Sequence, residues 1–135
     1  MNIVLDTNVL VSGVINPDGL PARLLNIIIN RTLTINADSR ILSEYNRVLT
    51  SPKFSFPEMY ILHLLNYISS ESKPVLPNPY PSNLKDPFDL SFVEVALHEN
   101  IPLITGNKKH FENIENLRLY SPKEFLESFR FNLLR

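Results

Sequence analysis

The chain has 135 residues, of which 44% are hydrophobic and 20% are charged, it contains no cysteine, and its formal net charge is -1. This composition is that of a folded globular domain, and it excludes a disordered chain, a disulfide-stapled fold and a thiolate metal site. The balance of charges also argues against a protein that is drawn to polyanions by a strongly basic surface.

The length predicts a single domain that spans residues 1–135. The first residues, MNIVLDTNVLVSG, are apolar, but they lack a basic leader and are interrupted by Asp6, so they predict neither a secretion signal nor a membrane span. The apolar stretch LLNIIIN is much shorter than the roughly 20 residues that cross a bilayer. We therefore expect a soluble, cytoplasmic protein that does not associate with membranes.

Strand and helix patterns alternate through the first half of the chain. Residues 2–5 form a short apolar run that predicts a strand buried on both faces. Prolines and a glycine then indicate a loop, and apolar residues at helical spacing predict a helix over 21–30. Alternating residues predict a second strand over 33–37, and Asp38 or Ser39 can cap the helix that follows.

The second half continues this alternation. We predict, in order, a helix over 59–68, an irregular proline-rich segment over 74–81, a helix over 87–99, a strand over 101–104, a strand over 117–120 and a closing helix that opens at Ser121-Pro122. Strands that alternate with helices predict an α/β fold with a parallel sheet covered on both faces.

Polar side chains flank the predicted strands at the edge where ligands gather in open parallel sheets. They are Asp6 after the first strand, Glu44 in the helix after the second, Asp86 and Asp89 at the start of the helix before the third, and Asn107 after the third. Taken singly, Glu44 equally suits a solvated helix face, and Asp86 or Asp89 a helix N-terminus. Asp6 is different, because an acid behind three branched apolar residues requires a compensating cation or hydrogen bonds.

Carboxylates that are brought close together repel one another unless a cation holds them. Because the chain has no cysteine and its three histidines are scattered, the oxygen donors suit Mg²⁺ or Mn²⁺ better than zinc. Such ions bind phosphate oxygens, lower the pKa of an attacking water and stabilise the leaving oxygen. A convergence of these residues would therefore fit phosphodiester hydrolysis.

Four segments, in this order and at these spacings, resemble the PIN-domain ribonuclease family: MNIVLDTNVLVSG, SEYNRVLTSPKF, KDPFDLSFVEVAL and ITGNKKHF. The likeness extends from Asn2 through the closing LRLYSPKEFL, and the chain looks most like stand-alone bacterial, toxin-like (VapC-like) members. The resemblance implies a three-layer αβα sandwich around a central, mainly parallel sheet of four or five strands. It also implies Mg²⁺- or Mn²⁺-dependent cleavage of RNA, a cognate antitoxin that folds over the site, and a homodimer or higher homo-oligomer.

By position, the resemblance implies that Asp6, Glu44 and Asp89 are the catalytic acids and metal ligands, and that Asp86 is a neighbouring acid able to share the role. Asn107 departs from the family, because many members carry a fourth acid there. An amide can ligate through its carbonyl oxygen or orient a water, but it adds no charge. The three remaining acids, or four if Asp86 is included, are enough to bind one ion.

Other residues near these acids are expected to support them. Thr7 and Asn8 match the Asp-Thr-Asn signature of the family and should tie the first-strand loop together by hydrogen bonds, and Thr105 should bond a carboxylate. These three residues are therefore expected to organise the site more than to act in it.

Basic residues beside the site could meet RNA phosphates. Lys108 and Lys109 follow the third strand, and Arg47 lies one turn beyond Glu44, where it equally suits a pair with an acid. His110 is expected at the surface, and we assign it no catalytic role.

The sequence leaves two alternatives to an RNA-cleaving toxin. Asn107 suggests a catalytically degenerate PIN-like module that binds RNA or a protein partner without cleavage. A phosphatase with an aspartyl nucleophile is disfavoured, because that class generally needs a second Asp two residues after the first, and position 8 is Asn.

Overall fold

The computed structural model describes residues 1–81, 84 and 89–133, with side chains up to Phe129. Its sheet is parallel throughout, in the order β3-β2-β1-β4-β5. The strands are β1 Asn2–Leu5, β2 Thr34–Ala37, β3 Lys73–Pro74, β4 Leu103–Ile104 and β5 Leu119–Tyr120. The helices are α1 Thr7–Ile15, α2 Leu20–Ile29, α3 Ser39–Leu49, α4 Glu58–Glu71, α5 Asp89–Glu99 and α6 Pro122–Leu133, with a 3₁₀ turn over Lys108–Phe111. This arrangement confirms the expected three-layer α/β sandwich.

Strand β1 forms the centre of the sheet. Ile3, Val4 and Leu5 are completely buried although they point alternately to opposite faces, so both faces of the sheet are covered. Helix α5 packs against β1, β2 and β4 and thereby places its N-terminus beside the strand ends. Within the described residues, no helix combines the length and the apolar character that crossing a bilayer requires.

Two elements were not predicted from the sequence. Helix α1 lacks a clear apolar stripe, because residues on several of its sides are buried, among them Thr7, Val9 and Leu10. Strand β3 has only two residues and includes a proline, which suits the edge of the sheet. The other predicted strands and helices are present with small shifts in their ends, and α5 is described from Asp89 onwards.

Helix α1 packs closely on α2 at Gly13. A Cβ added to Gly13 would lie 2.6 Å from Leu25 Cδ1 and 3.1 Å from the Pro21 carbonyl oxygen. A side chain at this position would therefore require Leu25 and the start of α2 to shift, so glycine allows the close approach of the two helices.

The proline-rich segment after β3 is tied to the sheet and to α5. Val75 N–H donates to the Ala37 carbonyl at 3.1 Å, and Tyr80 N–H donates to Glu94 Oε2 at 2.7 Å. Arg40 Nη2 reaches the other oxygen of Glu94 at 2.7 Å. Because prolines leave this segment with few N–H donors, these contacts hold it in place beside the helix that begins at Asp89.

Candidate active site

A cavity of about 380 Å³ opens where the chain leaves β1, and it brings together acids from three distant parts of the chain. Its lining is Asp6, Thr7, Asn8, Val11, Ser12, Glu44, Val48, Phe54, Asp89, Phe92 and His110. Asn107 is not among these residues, and Asp86 lies outside the described residues. The three carboxylates expected to act together therefore face one space.

Asp6 is buried at the end of β1, with only 7% of its surface exposed. Its N–H donates to the Ile104 carbonyl at 2.9 Å, and its Oδ2 accepts the Thr105 hydroxyl at 2.7 Å. Burial raises the pKa of Asp6, although the Thr105 hydroxyl, the N–H groups of Thr7 and Asn8, and the nearby His110 oppose that rise. The burial of its charge is thus only partly compensated, which favours a cation next to this carboxylate.

Tyr45 on α3 anchors the strand end that carries Asp6. Its hydroxyl donates to the Leu5 carbonyl, and its ring is completely buried. Burial, followed by the negative charge of Asp6, raises the pKa of this phenol well above its usual value, so Tyr45 is a neutral donor. Tyr45 follows the apolar spacing of α3, with Ile41 and Leu49, and that spacing gives no sign of the polar contact.

Glu44 is positioned by α3, which Asp38 caps by accepting the Ile41 N–H at 3.0 Å. Its side chain is 13% exposed. Arg47 binds both carboxylate oxygens, at 2.8 and 3.1 Å, and is itself 62% exposed. Of the two roles considered for Arg47, the structure therefore shows the pair with an acid.

Asp89 is the first described residue of α5, and its side chain is 12% exposed. His110 Nδ1 lies 3.4 Å from Asp89 Oδ2. The histidine is half exposed, as expected of a surface residue, but it also lines the cavity. Its contact with Asp89 was not predicted from the sequence, because the path of the 3₁₀ turn cannot be read from periodicity.

The loop after β4 connects several of the expected supporting residues. Thr105 Oγ1 accepts the Asn107 N–H at 3.0 Å while donating to Asp6, so the expected bond to a carboxylate is present. Asn8 Oδ1 accepts the Gly106 N–H at 3.2 Å, as a residue that ties this loop should. Thr7 makes its bond through the backbone, since its N–H donates to the Asp6 carboxylate, whereas its hydroxyl Oγ1 is buried with no hydrogen-bond partner in the described part of the chain.

The basic residues after β4 differ in their surroundings. Lys108 Nζ lies 2.9 Å from Glu124 Oε1 on α6, whereas Lys109 is exposed. Lys109 is therefore the better placed of the two lysines to meet a polyanion.

The donor atoms of the cavity fit a hard divalent cation by their chemistry. Asp6, Glu44 and Asp89 offer carboxylate oxygens, the ligands that Mg²⁺ and Mn²⁺ prefer. Over residues 1–81, 84 and 89–133, however, no three acidic or histidine side chains are grouped closely enough to hold an ion as they stand. The donors thus share a cavity in an open arrangement, with Glu44 held by Arg47.

The fold is similar to that of solved structures. A chain of VapBC2 from Rickettsia felis, bound to a DNA fragment from its promoter, has a TM-score of 0.60 and 23% identity, covering 90% of this chain and 98% of that chain. A chain of VapBC-1 from nontypeable Haemophilus influenzae has a TM-score of 0.61 and 17% identity, covering 91% and 99%. A chain of DNA-bound VapBC from Salmonella typhimurium has a TM-score of 0.60 and 18% identity, covering 90% and 98%.

Sequence comparison gives the family. The uncharacterized protein MJ1680 of Methanocaldococcus jannaschii is 32% identical over 142 residues, covering 96% of this chain and 92% of that protein. The sequence model of the PIN domain matches residues 2–109, which include Asp6, Glu44 and Asp89. The chain therefore belongs to the PIN domain family.

Proposed function

We propose that this chain is a divalent-metal-dependent endoribonuclease that acts as the toxin of a toxin–antitoxin pair. The observation that carries the proposal is the convergence of Asp6, Glu44 and Asp89 on one cavity in a PIN domain. These residues come from β1, α3 and α5, and a purely structural role would not require three carboxylates to face the same space.

Asp6 and Asp89 would hold Mg²⁺ or Mn²⁺, and Glu44 would join them once its carboxylate turns from Arg47. Asp86 is a further candidate by sequence position. When bound, the ion would supply positive charge to the scissile phosphate and lower the pKa of the attacking water. The protein supports this chemistry by fixing Asp6 through Thr105 and by fixing the strand end through Tyr45.

Basic side chains at the rim would guide the RNA. Arg47 and Lys109 are exposed near the cavity, and Lys108 could exchange its pair with Glu124 for a phosphate. Asn107 would contribute through its backbone, since its side chain is not part of the lining. We expect hydrolysis to leave 5′-phosphate and 3′-hydroxyl ends.

Cleavage of RNA by the wild-type chain and by Asp6→Asn, in Mg²⁺ or Mn²⁺, tests the activity. We expect a loss of at least about 100-fold in the variant, because even residues that only orient a metal ligand are worth 10–100-fold. Asp18→Asn removes the same charge from an exposed loop and should cleave as wild type. Equal cleavage by Asp6→Asn and wild type would refute the assignment.

A module that binds RNA without cleavage is the second candidate. It is favoured by the amide at Asn107 and by the absence, over the described ranges, of a ready three-residue metal group. RNA binding that is equal with and without Mg²⁺, with no shortening of the RNA, would support this module over the nuclease.

The protein partner is the second part of the proposal. The similar solved chains come from VapBC complexes, and α4 exposes apolar side chains at Met59, Tyr60 and Leu62. We expect a small open reading frame beside the gene to encode an antitoxin that suppresses cleavage when the two proteins are equimolar.

The chain alone is expected to form a homodimer or higher homo-oligomer. Light scattering of the purified chain measures this, and a monomer would contradict the expected self-association.

A further inference from the structure

His110 is part of a bonded frame that links the first and third acids of the cavity. The frame begins at Asp6, whose carboxylate accepts the Thr105 hydroxyl at 2.7 Å. Thr105 Oγ1 accepts the Asn107 N–H at 3.0 Å, and the Asn107 carbonyl accepts the His110 N–H at 3.2 Å. The His110 ring then reaches Asp89 at 3.4 Å, which returns the frame to the cavity.

The contact between His110 and Asp89 joins a restrained backbone to a nearly buried carboxylate. Only 12% of the Asp89 side chain is exposed, against 52% of His110. The distance of 3.4 Å is long for a hydrogen bond, but bonds in catalytic sites are often long before a ligand binds and shorten afterwards. Within this geometry, Nδ1 is the ring atom that faces Asp89 Oδ2.

We propose that His110 is a positioning residue, whose Nδ1–H holds Asp89 Oδ2 so that the other oxygen of this carboxylate faces a divalent cation. The inference rests on the proposed metal-dependent function. Carboxylates that ligate metals are commonly hydrogen-bonded by a second residue, which restricts their rotation and orients the ligating oxygen. His110 supplies that restraint from a turn that is itself tied to Asp6.

The frame also explains how the site tolerates an amide at Asn107. The N–H and the carbonyl of Asn107 make the two bonds that belong to the frame, and neither depends on the identity of its side chain. An acid at this position is therefore not needed to place His110 against Asp89.

Two substitutions separate this role from direct contact between His110 and RNA. In His110→Asn, the amide nitrogen lies as many bonds from Cα as Nδ1 does, so it can still donate to Asp89. In His110→Gln, the amide nitrogen takes the place of Nε2 instead, and the donor to Asp89 is lost. His63→Gln on the exposed side of α4 is the matched control.

Mn²⁺ binding by electron paramagnetic resonance is the readout that does not depend on catalysis. We expect His110→Asn and His63→Gln to bind within about threefold of wild type, and His110→Gln to bind 10–100-fold more weakly, as loss of such a partner typically causes. The kcat for RNA should follow the same order, while KM changes little. Circular dichroism confirms that each variant is folded.

The outcomes distinguish the positioning role from the proposed function. Equal Mn²⁺ affinity in His110→Asn and His110→Gln would overturn the positioning role alone. Wild-type Mn²⁺ affinity in both variants, with a KM for RNA that is raised in His110→Asn alone, would overturn it in favour of an RNA contact through Nε2. A wild-type protein that takes up no Mn²⁺ would overturn the proposed function, and the positioning role with it.

Discussion

Asn36 is a residue whose chemistry conflicts with its position. It lies within β2, is completely buried, and neither its amide nitrogen nor its amide oxygen has a hydrogen-bond partner in the described part of the chain. A buried polar group without a partner costs about 1–3 kcal/mol, since it loses its bonds to water and gains none. The alternation of polar and apolar residues in the second predicted strand gave no sign of this conflict, because Asn36 is one of its polar positions.

Replacing Asn36 by Leu should stabilise the protein. The substitution removes the unsatisfied amide and keeps the branching at Cγ and the number of side-chain heavy atoms, so we expect urea denaturation to give a gain of about 1–2 kcal/mol. Asn26→Leu on an exposed face of α2 controls for added apolar surface and should stay within about 0.5 kcal/mol of wild type. A loss of stability in Asn36→Leu would contradict this expectation, since it would mean either that the amide has a partner, such as an ordered water, or that the bulkier methyl groups do not fit the site.

Among the elements, α6 shows how a local motif fixes a boundary. Ser121 N–H donates to Glu124 Oε1 at 2.9 Å, and Glu124 N–H donates to Ser121 Oγ at 3.1 Å. This reciprocal pair is a capping box, and it places the helix start where Ser121-Pro122 predicted it. The Ser121 N–H, and next the Lys108 ammonium, lower the pKa of Glu124 to about 2.

Glu124→Gln should remove a pH-dependent part of the stability. The folded pKa of Glu124 lies below its usual 4.5, so its contribution is complete above that value and is lost as the pH falls toward about 2. Because Glu124 is exposed, we expect a difference from wild type of less than about 1 kcal/mol at pH 7, measured by urea denaturation. The difference should shrink between pH 5 and pH 3, and Glu127→Gln, which removes a carboxylate from the same helix outside the capping box, is the control variant.

The elements that escaped prediction lack local signals. Helix α1 is apolar on several sides, and β3 is a two-residue strand that exists through its pairing with Asn36 and Ala37. Whether these segments form a helix or a strand depends on the elements that pack around them. The neighbouring residues in the sequence do not encode that packing. By contrast, α3 and α6 were predictable because caps and apolar spacing act within a few residues.

For the whole molecule, the parallel topology decides how much of the site the sequence predicts. Asp6, Glu44 and Asp89 could be placed together because residues after neighbouring parallel strands meet at one edge of the sheet. His110 and Tyr45 could not, because their contacts depend on the path of a short turn and on the direction of one ring. Topology brings chain segments to a site, whereas side-chain directions within it require coordinates.

The same convergence of charge predicts a coupling between metal binding and the stability of the whole chain. A ligand that binds only the folded protein stabilises it by roughly 2.7 kcal/mol at one hundred times Kd, which is on the order of 10 °C in Tm for a domain of this size. Without metal, burial of the Asp6 charge opposes folding, so Asp6→Asn should melt at or above the wild-type temperature.

Adding Mn²⁺ should therefore reverse the order of the two proteins in thermal denaturation. The melting temperature of the wild type should rise with the Mn²⁺ concentration. That of Asp6→Asn, which lacks the carboxylate at the end of β1, should barely change. Asp18→Asn leaves the cavity intact and should follow the wild type. If the melting temperatures of the wild type and Asp6→Asn rose in parallel, the stabilising ion would bind somewhere other than this cavity. An ion bound in the cavity must be weakened by the loss of Asp6, which is the most buried of the three carboxylates.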